Sequence, residues 1–173
     1  MTNYIYRWTF LLTVLFVSCT LPKQEKLKIN PVTHSVTLGG YFTCDTTDYI
    51  FIKSSLTNNS EDSLFCVTMS CSGESAYKIE SNYLSKEANW CFSNFPMLIK
   101  VAPHKSFDYF LRLIQTQKNK NLWDINFRLG YNLVLRDTTK ELSSQAEQIA
   151  DMKNIIWSDT VHLKDFWMRY GTY

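Results

Sequence analysis

From Ile125 to Leu135 the chain keeps a period of two: Ile125, Phe127, Leu129, Tyr131, Leu133 and Leu135 are apolar, with Asn126, Arg128 and Asn132 at intervening positions. A repeat of two puts alternate side chains on opposite faces of a strand, whereas a helix would scatter them around its axis. Similar runs recur along the chain. HSVTLGGYFTC carries Val36, Leu38, Tyr41 and Phe42, with Gly39-Gly40 marking a bulge or bend. DYIFIKSSLTN alternates around Ile50, Ile52, Ser54 and Leu56; SLFCVTMSC, PMLIKVAP between Pro96 and Pro103, SFDYFLRLIQT and NIIWSDTVHLKDF read as further strands. The polar clusters Asn58 to Asp62 and Gln117 to Asn121 are expected to be hairpin turns, the second joining SFDYFLRLIQT to LWDINFRLGYNLVLRD. Residues 72 to 95 lack a clear period, apart from a short strand around Tyr77 to Ile79. Only Thr138 to Asn154 switches to helical spacing, through Leu142, Ala146, Ile149 and Lys153. The expected fold is all-β: an antiparallel two-sheet sandwich of about seven strands, with one short helical insertion over about residues 140–152. A closed barrel would call for longer and more uniform strands.

The N-terminus is organised differently. MTNYIYR ends in one positive charge, Arg7, and is followed by an apolar run from Trp8 to Val17. That run is shorter than the roughly 20 residues needed to cross a bilayer as a helix. A charged start followed by a short apolar core reads as a secretory signal. The stretch Leu15-Phe16-Val17-Ser18-Cys19 resembles the lipobox of bacterial lipoproteins, although Phe16 stands where leucine is usual. The resemblance implies cleavage before Cys19 and a diacylglycerol on its thiol. Two or three acyl chains, at about 0.8 kcal/mol per buried methylene, make such an anchor stable. TLPKQEKLKINP then reads as a polar tether that reaches about 40 Å when extended. The expected organisation is a signal peptide over 1–18, a lipidated cysteine and tether over 19–33, and one β domain over 34–173. Thr20 is not the aspartate of an inner-membrane retention signal, which favours the outer membrane. No acidic cluster of the kind that resembles a surface-export signal in the Bacteroides group follows Cys19, which favours the periplasmic side.

Composition limits what the domain can do. At 45% hydrophobic and 15% aromatic residues, the chain can build a packed core. A formal charge of +2, with Lys and Arg scattered, leaves no basic stripe for nucleic acid. With Cys19 assigned to lipid, Cys44, Cys66, Cys71 and Cys91 remain, an even set that suggests two disulfides in an exported domain. Cys66 and Cys71 lie five apart on one strand and point to opposite faces. That leaves Cys71–Cys91 with Cys44–Cys66, or Cys66–Cys91 with Cys44–Cys71. The first is preferred because Cys71 ends a strand and Cys91 lies in the connection that follows. His34, His104 and His162 are not spaced with any cysteine, so neither a metal nor a cofactor is expected.

No nucleophile elbow, HExxH or SxxK is present, and no catalytic residue is expected. His104 reads as a solvated turn residue and His162 as a strand-face residue. The pieces Asn58 to Leu64, Met69-Ser70-Cys71, Cys91 to Pro96 and Ile156 to Asp159 resemble immunoglobulin-like domains of exported proteins in the Bacteroides group, over roughly residues 34 to 165. Four Asp-Ser or Asp-Thr sites, at Asp45, Asp62, Asp137 and Asp159, resemble the O-glycosylation signature of the same exported proteins. This would place sugars on Thr46, Ser63, Thr138 and Thr160; plain turn formation explains such pairs equally well. The aromatics Tyr77, Tyr83, Trp90, Phe166, Trp167, Tyr170 and Tyr173 could line a partner site or pack in the core. The expectation is a non-enzymatic lipoprotein held to the membrane by its lipid, with a protein partner in the envelope. The rivals are a periplasmic glycan or small-ligand binder, or a hydrolase accessory with an unrecognised site.

Overall fold

A computed structural model describes residues 32–88 and 93–170, with side chains through Phe166. Ten strands, β1 to β10, occur among these residues, all paired antiparallel. β1 (Val32–Cys44), β2 (Thr47–Asn58), β7 (Ser106–Gln115) and β5 (Leu84–Lys86) form one sheet in the order β1-β2-β7-β5. β8 (Asn126–Asn132) is flanked by β4 (Tyr77–Glu80) on one side and by the short β9 (Ile155–Trp157) and β10 (Val161–His162) on the other. β3 (Leu64–Met69) and β6 (Pro96–Val101) make a two-stranded ribbon. The ribbon joins the second layer where Val67 N–H donates to Val134 at 2.8 Å and Arg136 N–H to Phe65 at 2.8 Å. The fold is therefore the antiparallel all-β sandwich expected, more finely divided into strands.

Alternation builds the core. Ile50, Ile52 and Leu56 from β2 and Leu111 and Leu113 from β7 face Phe127, Leu129 and Tyr131 from β8, all buried. At roughly 25 cal/mol per Å² of apolar surface withdrawn from water, these two inner faces are the main stabilising term. Helix α1 (Leu142–Ala150) occupies the expected insertion and buries Ile149 and Gln145. It packs on β3 and β6.

Four features differ from the expectation. Asn58 to Asp62 and Gln117 to Asn121 are arches between sheets and not hairpins: β2 pairs with β1 and β7, β3 with β6, and β7 and β8 lie in different sheets. Buried amides hold these arches. Asn58 Nδ2 donates to the carbonyls of Asp62 at 2.7 Å and Val101 at 3.1 Å, and Gln115 Nε2 donates to Gln117 at 2.7 Å and Lys120 at 2.8 Å. Asn132, expected on the polar face of its strand, is 1% exposed. Its Nδ2 donates to the last carbonyls of α1, Gln148 and Ile149, both at 2.8 Å, and so satisfies acceptors that a helix end leaves unpaired. Lastly, NIIWSDTVHLKDF is two short strands, and Leu163 begins a helix, α2 (Leu163–Tyr170).

At Gly130, in the middle of β8, an added methyl would press on Ile155 Cγ2 and lie 2.9 Å from the Trp157 ring. At Gly39 the nearest atom to such a methyl is 3.6 Å away. Gly130→Ala is expected to lower stability by about 1–3 kcal/mol in urea unfolding. Gly39→Ala should change it by less than about 0.5 kcal/mol.

Candidate functional site

The strand period of two has a single phase shift in β1. Val36 pairs with Ser54 and Leu38 with Ile52, facing inward, but a bulge between Leu38 and Gly40 resets the register to Gly40 with Phe51 and Phe42 with Tyr49. The expected break at Gly39-Gly40 is thus a bulge, and it turns Phe42 outward. There Phe42 stacks on Tyr49 (4.8 Å between ring centroids) and on Phe51 (5.5 Å), and the Arg112 guanidinium lies 5.5 Å from the Tyr49 ring. Arg112 is paired with Glu87. Phe110, one strand over and opposite Lys53, is 71% exposed, the most exposed large apolar side chain described. Phe42 and Phe51 are 40% and 37% exposed.

The result is an aromatic strip on the solvent side of the β1-β2-β7-β5 sheet. Lys53 and Asp108 form an ion pair beside it at 3.4 Å, and Ser55 Oγ donates to Asp108 at 2.6 Å. The serine hydrogen bond foremost, with help from Lys53, holds the Asp108 carboxyl below its ordinary range. Phe42 and Phe51 are more than half covered, whereas Phe110 buries little against the domain. Exposed aromatic side chains on one sheet face make this a candidate interaction surface. On the ribbon, Phe65 and Leu98 are also exposed, with Lys100 Nζ 5.8 Å from the Phe65 ring.

Inside the sandwich, one pair has the outline of a catalytic dyad. His34 Nδ1 lies 3.1 Å from the Ile156 carbonyl, which requires the proton on Nδ1, and Nε2 therefore accepts from Ser54 Oγ at 2.8 Å. Yet Ser54 is 0% exposed and His34 7%. No substrate reaches that hydroxyl, and the pair serves to satisfy two polar groups between the sheets. The Tyr77 hydroxyl faces the same serine without a well-formed hydrogen bond, and burial pushes its pKa far up. Glu74, buried under the 3-10 turn Gly73–Ala76, accepts from Tyr109 Oη at 3.2 Å through its carboxylate and from Lys86 Nζ at 2.7 Å through its carbonyl. Burial lowers the Lys86 pKa, and Glu74 opposes that shift.

The residues singled out from sequence are scattered. Cys19 and Cys91 lie outside the described residues. Cys71 is disulfide-bonded, whereas Cys44 and Cys66 are free thiols. This overturns the expected Cys44–Cys66 bond, and also the alternative Cys66–Cys91 with Cys44–Cys71 pairing, which requires both of those thiols to be bonded. Cys44 sits exposed at the tip of the β1–β2 hairpin, while Cys66 is buried on β3 against Leu135, and burial pushes its thiol up to about 11. Among the described residues no three His, Cys, Asp or Glu side chains gather as a metal site. Thr46, Thr138 and Thr160 are exposed in turns or loops, and Ser63 is half-buried just before β3. Asp137 accepts from the Thr139 hydroxyl at 2.6 Å and amide at 3.0 Å, a turn-forming arrangement.

Of the aromatics proposed to line a site, Tyr77 is core and Tyr83 packs against it, while Phe166 stacks at 6.5 Å on Trp123. Trp90 and Tyr173, and the side chains of Trp167 and Tyr170, lie outside the described residues. The strip of Phe42, Phe51 and Phe110 was missed. It could have been found by parity, since Phe51 shares a face with Lys53 and Ser55, and Phe110 with Asp108 and Arg112.

No protein-family model matches this sequence, and no curated protein matches it. The chain resembles one solved structure, titled "Crystal structure of FixG-related protein from Vibrio parahaemolyticus", with a TM-score of 0.36 and 11% identity over 64% of this chain and 86% of that one.

His34 also sets a pH dependence. Burial lowers its pKa from the ordinary 6.5, against the pull of the Ile156 carbonyl. Below that value the unfolded chain takes up a proton that the folded one refuses, so stability falls as pH drops. The loss is expected to begin near pH 6.5 and to have a slope of at most about 1.4 kcal/mol per pH unit. Urea midpoints between pH 7.5 and 5.5 should show it, and His34→Gln should remove most of the slope in that window.

Proposed function

We propose that this chain is a cell-envelope lipoprotein, anchored through Cys19, whose β-sandwich is a non-enzymatic binding or assembly module that docks a protein partner on the outer face of the β1-β2-β7-β5 sheet. The observation that carries the reading is the aromatic strip of Phe42, Tyr49, Phe51 and Phe110, held flat on rigid paired strands and rimmed by Lys53, Asp108 and Arg112. Aromatic anchors with an arginine at their edge and a charged rim form the usual composition of a protein-binding surface. The rings lie on strands, so little conformational entropy is lost when a partner covers them. The lipid anchor rests on the N-terminal run from Trp8 to Val17 and the Leu15-Phe16-Val17-Ser18-Cys19 stretch, the outer-membrane location on Thr20, and the periplasmic side on the lack of an acidic cluster after Cys19.

The test places a photo-reactive phenylalanine analogue at position 110 in the full chain within its native cells. A second version carries it at Lys118, in the exposed β7–β8 arch. One discrete adduct from position 110 and none from 118 is expected, together with release from the membrane fraction on Cys19→Ala. Identical adducts from both positions, or none from 110, would contradict the docking face. Phe110→Asp should abolish the adduct partner's co-purification while shifting stability by no more than about 0.5 kcal/mol.

A further inference from the structure

A different part of the same sheet offers a second site. β1 is an outermost strand of its sheet, and no other strand among the described residues pairs with its free edge. Near His34 that edge is approached by β9, through the contact to Ile156 at 3.1 Å. Beyond Ser158 the chain turns away toward β10 and α2. The divergence opens a groove of about 400 Å³ between residues 35–38 of β1 and the stretch from Asp159 to Phe166. Val36 and Leu38, the inward-facing residues of β1, form one apolar wall, and Val161 and Phe166 the other. Asp159 and Asp165 stand on the rim. Both are exposed, and neither has an ion-pair partner among the described residues. Among the described residues no lysine or arginine lines the groove. His162 also lines the groove, with its Nδ1 2.7 Å from Asn126 Oδ1.

We infer that this groove binds an extended basic peptide segment of another protein, which adds as a strand to the edge of β1 at Ser35–Leu38. An unpaired edge offers a row of backbone donors and acceptors, the basis of recognition by strand addition. Four residues of edge span about 13 Å, enough to register a short segment. A strand laid there presents alternate side chains to the apolar floor formed by Val36, Leu38, Val161 and Phe166. The two carboxylates select lysine or arginine at the positions between. Asp159 and Asp165 would repel an acidic segment, so sign and period together define the ligand class. This site is distinct from the aromatic strip, which faces outward from the middle of the sheet, and the inference does not rest on that reading.

The test uses the full chain labelled with nitrogen-15 and titrated with the probe acetyl-Lys-Val-Lys-Val-Lys-Val-Lys-amide. The expected result is saturable amide shifts confined to residues 35–38 and 159–166. Affinity should fall about fivefold in an Asp159→Asn/Asp165→Asn double variant, and its decline with rising salt should be shallower in that variant than in the unaltered chain. The same peptide with alternate residues N-methylated, which keeps the charge and removes the strand donors, should not bind. Phe110→Asp should leave the titration unchanged, which separates this site from the docking face. Equal binding of the N-methylated peptide would overturn strand addition. Shifts located elsewhere would overturn the site, as would slow exchange in the free protein of those amides among residues 35–38 that point away from β2, which would mean that the edge is already covered.

Discussion

The register between β1 and β2, with its one bulge between Leu38 and Gly40, is the constraint on which the outer surface depends. A strand's side chains alternate, so a single extra residue reverses the facing of everything beyond it. Before the bulge, β1 places Val36 and Leu38 toward the core. Beyond it, Phe42 faces solvent and stacks on Tyr49 and Phe51. A glycine pair tolerates that break, and a methyl at Gly40 would meet nothing nearer than the Phe51 ring at 4.0 Å. Without the shift, Phe42 would enter an interior already filled by Ile50 and Ile52, and the strip would lose one of its rings.

Inside, the layers are held apart and in place by polar groups that the core must satisfy. Asn58, Gln115, Asn132 and Gln145 are each at most 6% exposed, and each uses its amide on backbone carbonyls at a chain reversal. Four such side chains turn would-be hairpins into arches and tie helix α1 to β8. His34 and Ser54 do the same between the sheets, where each satisfies the other. Leaving any one of these groups unpaired would cost about 1–3 kcal/mol, so these residues specify topology as much as stability.

Much of this is legible in the amino-acid order, and the rest is hidden for identifiable reasons. Strand positions, the helix at Leu142–Ala150 and the Gly39-Gly40 break follow from period and residue type. Pairing does not, because a polar cluster between two alternating runs looks the same whether the chain returns in one sheet or crosses to the other. Asn132 reads as a surface residue and is buried because a helix end, distant in sequence, needs its amide. The aromatic strip hides for the opposite reason: phenylalanine suggests core, although the facing of Phe51 and Phe110 is set by their polar neighbours two residues away. For the cysteines, the preferred Cys71–Cys91 pairing left Cys44 and Cys66 to bond each other, while the fold leaves one thiol at a hairpin tip and the other inside the ribbon.

The central claim is that the outer face of the β1-β2-β7-β5 sheet is covered by a partner when the protein is in its own envelope. It is tested most directly by placing 4-fluorophenylalanine at position 110 and measuring relaxation of its fluorine signal by a soluble gadolinium chelate. The comparison is between purified protein and native membranes. The account predicts strong relaxation in the purified protein, where the ring is 71% exposed, and marked shielding in the membranes. Equal relaxation in both settings would mean that nothing docks on the strip, and would contradict it.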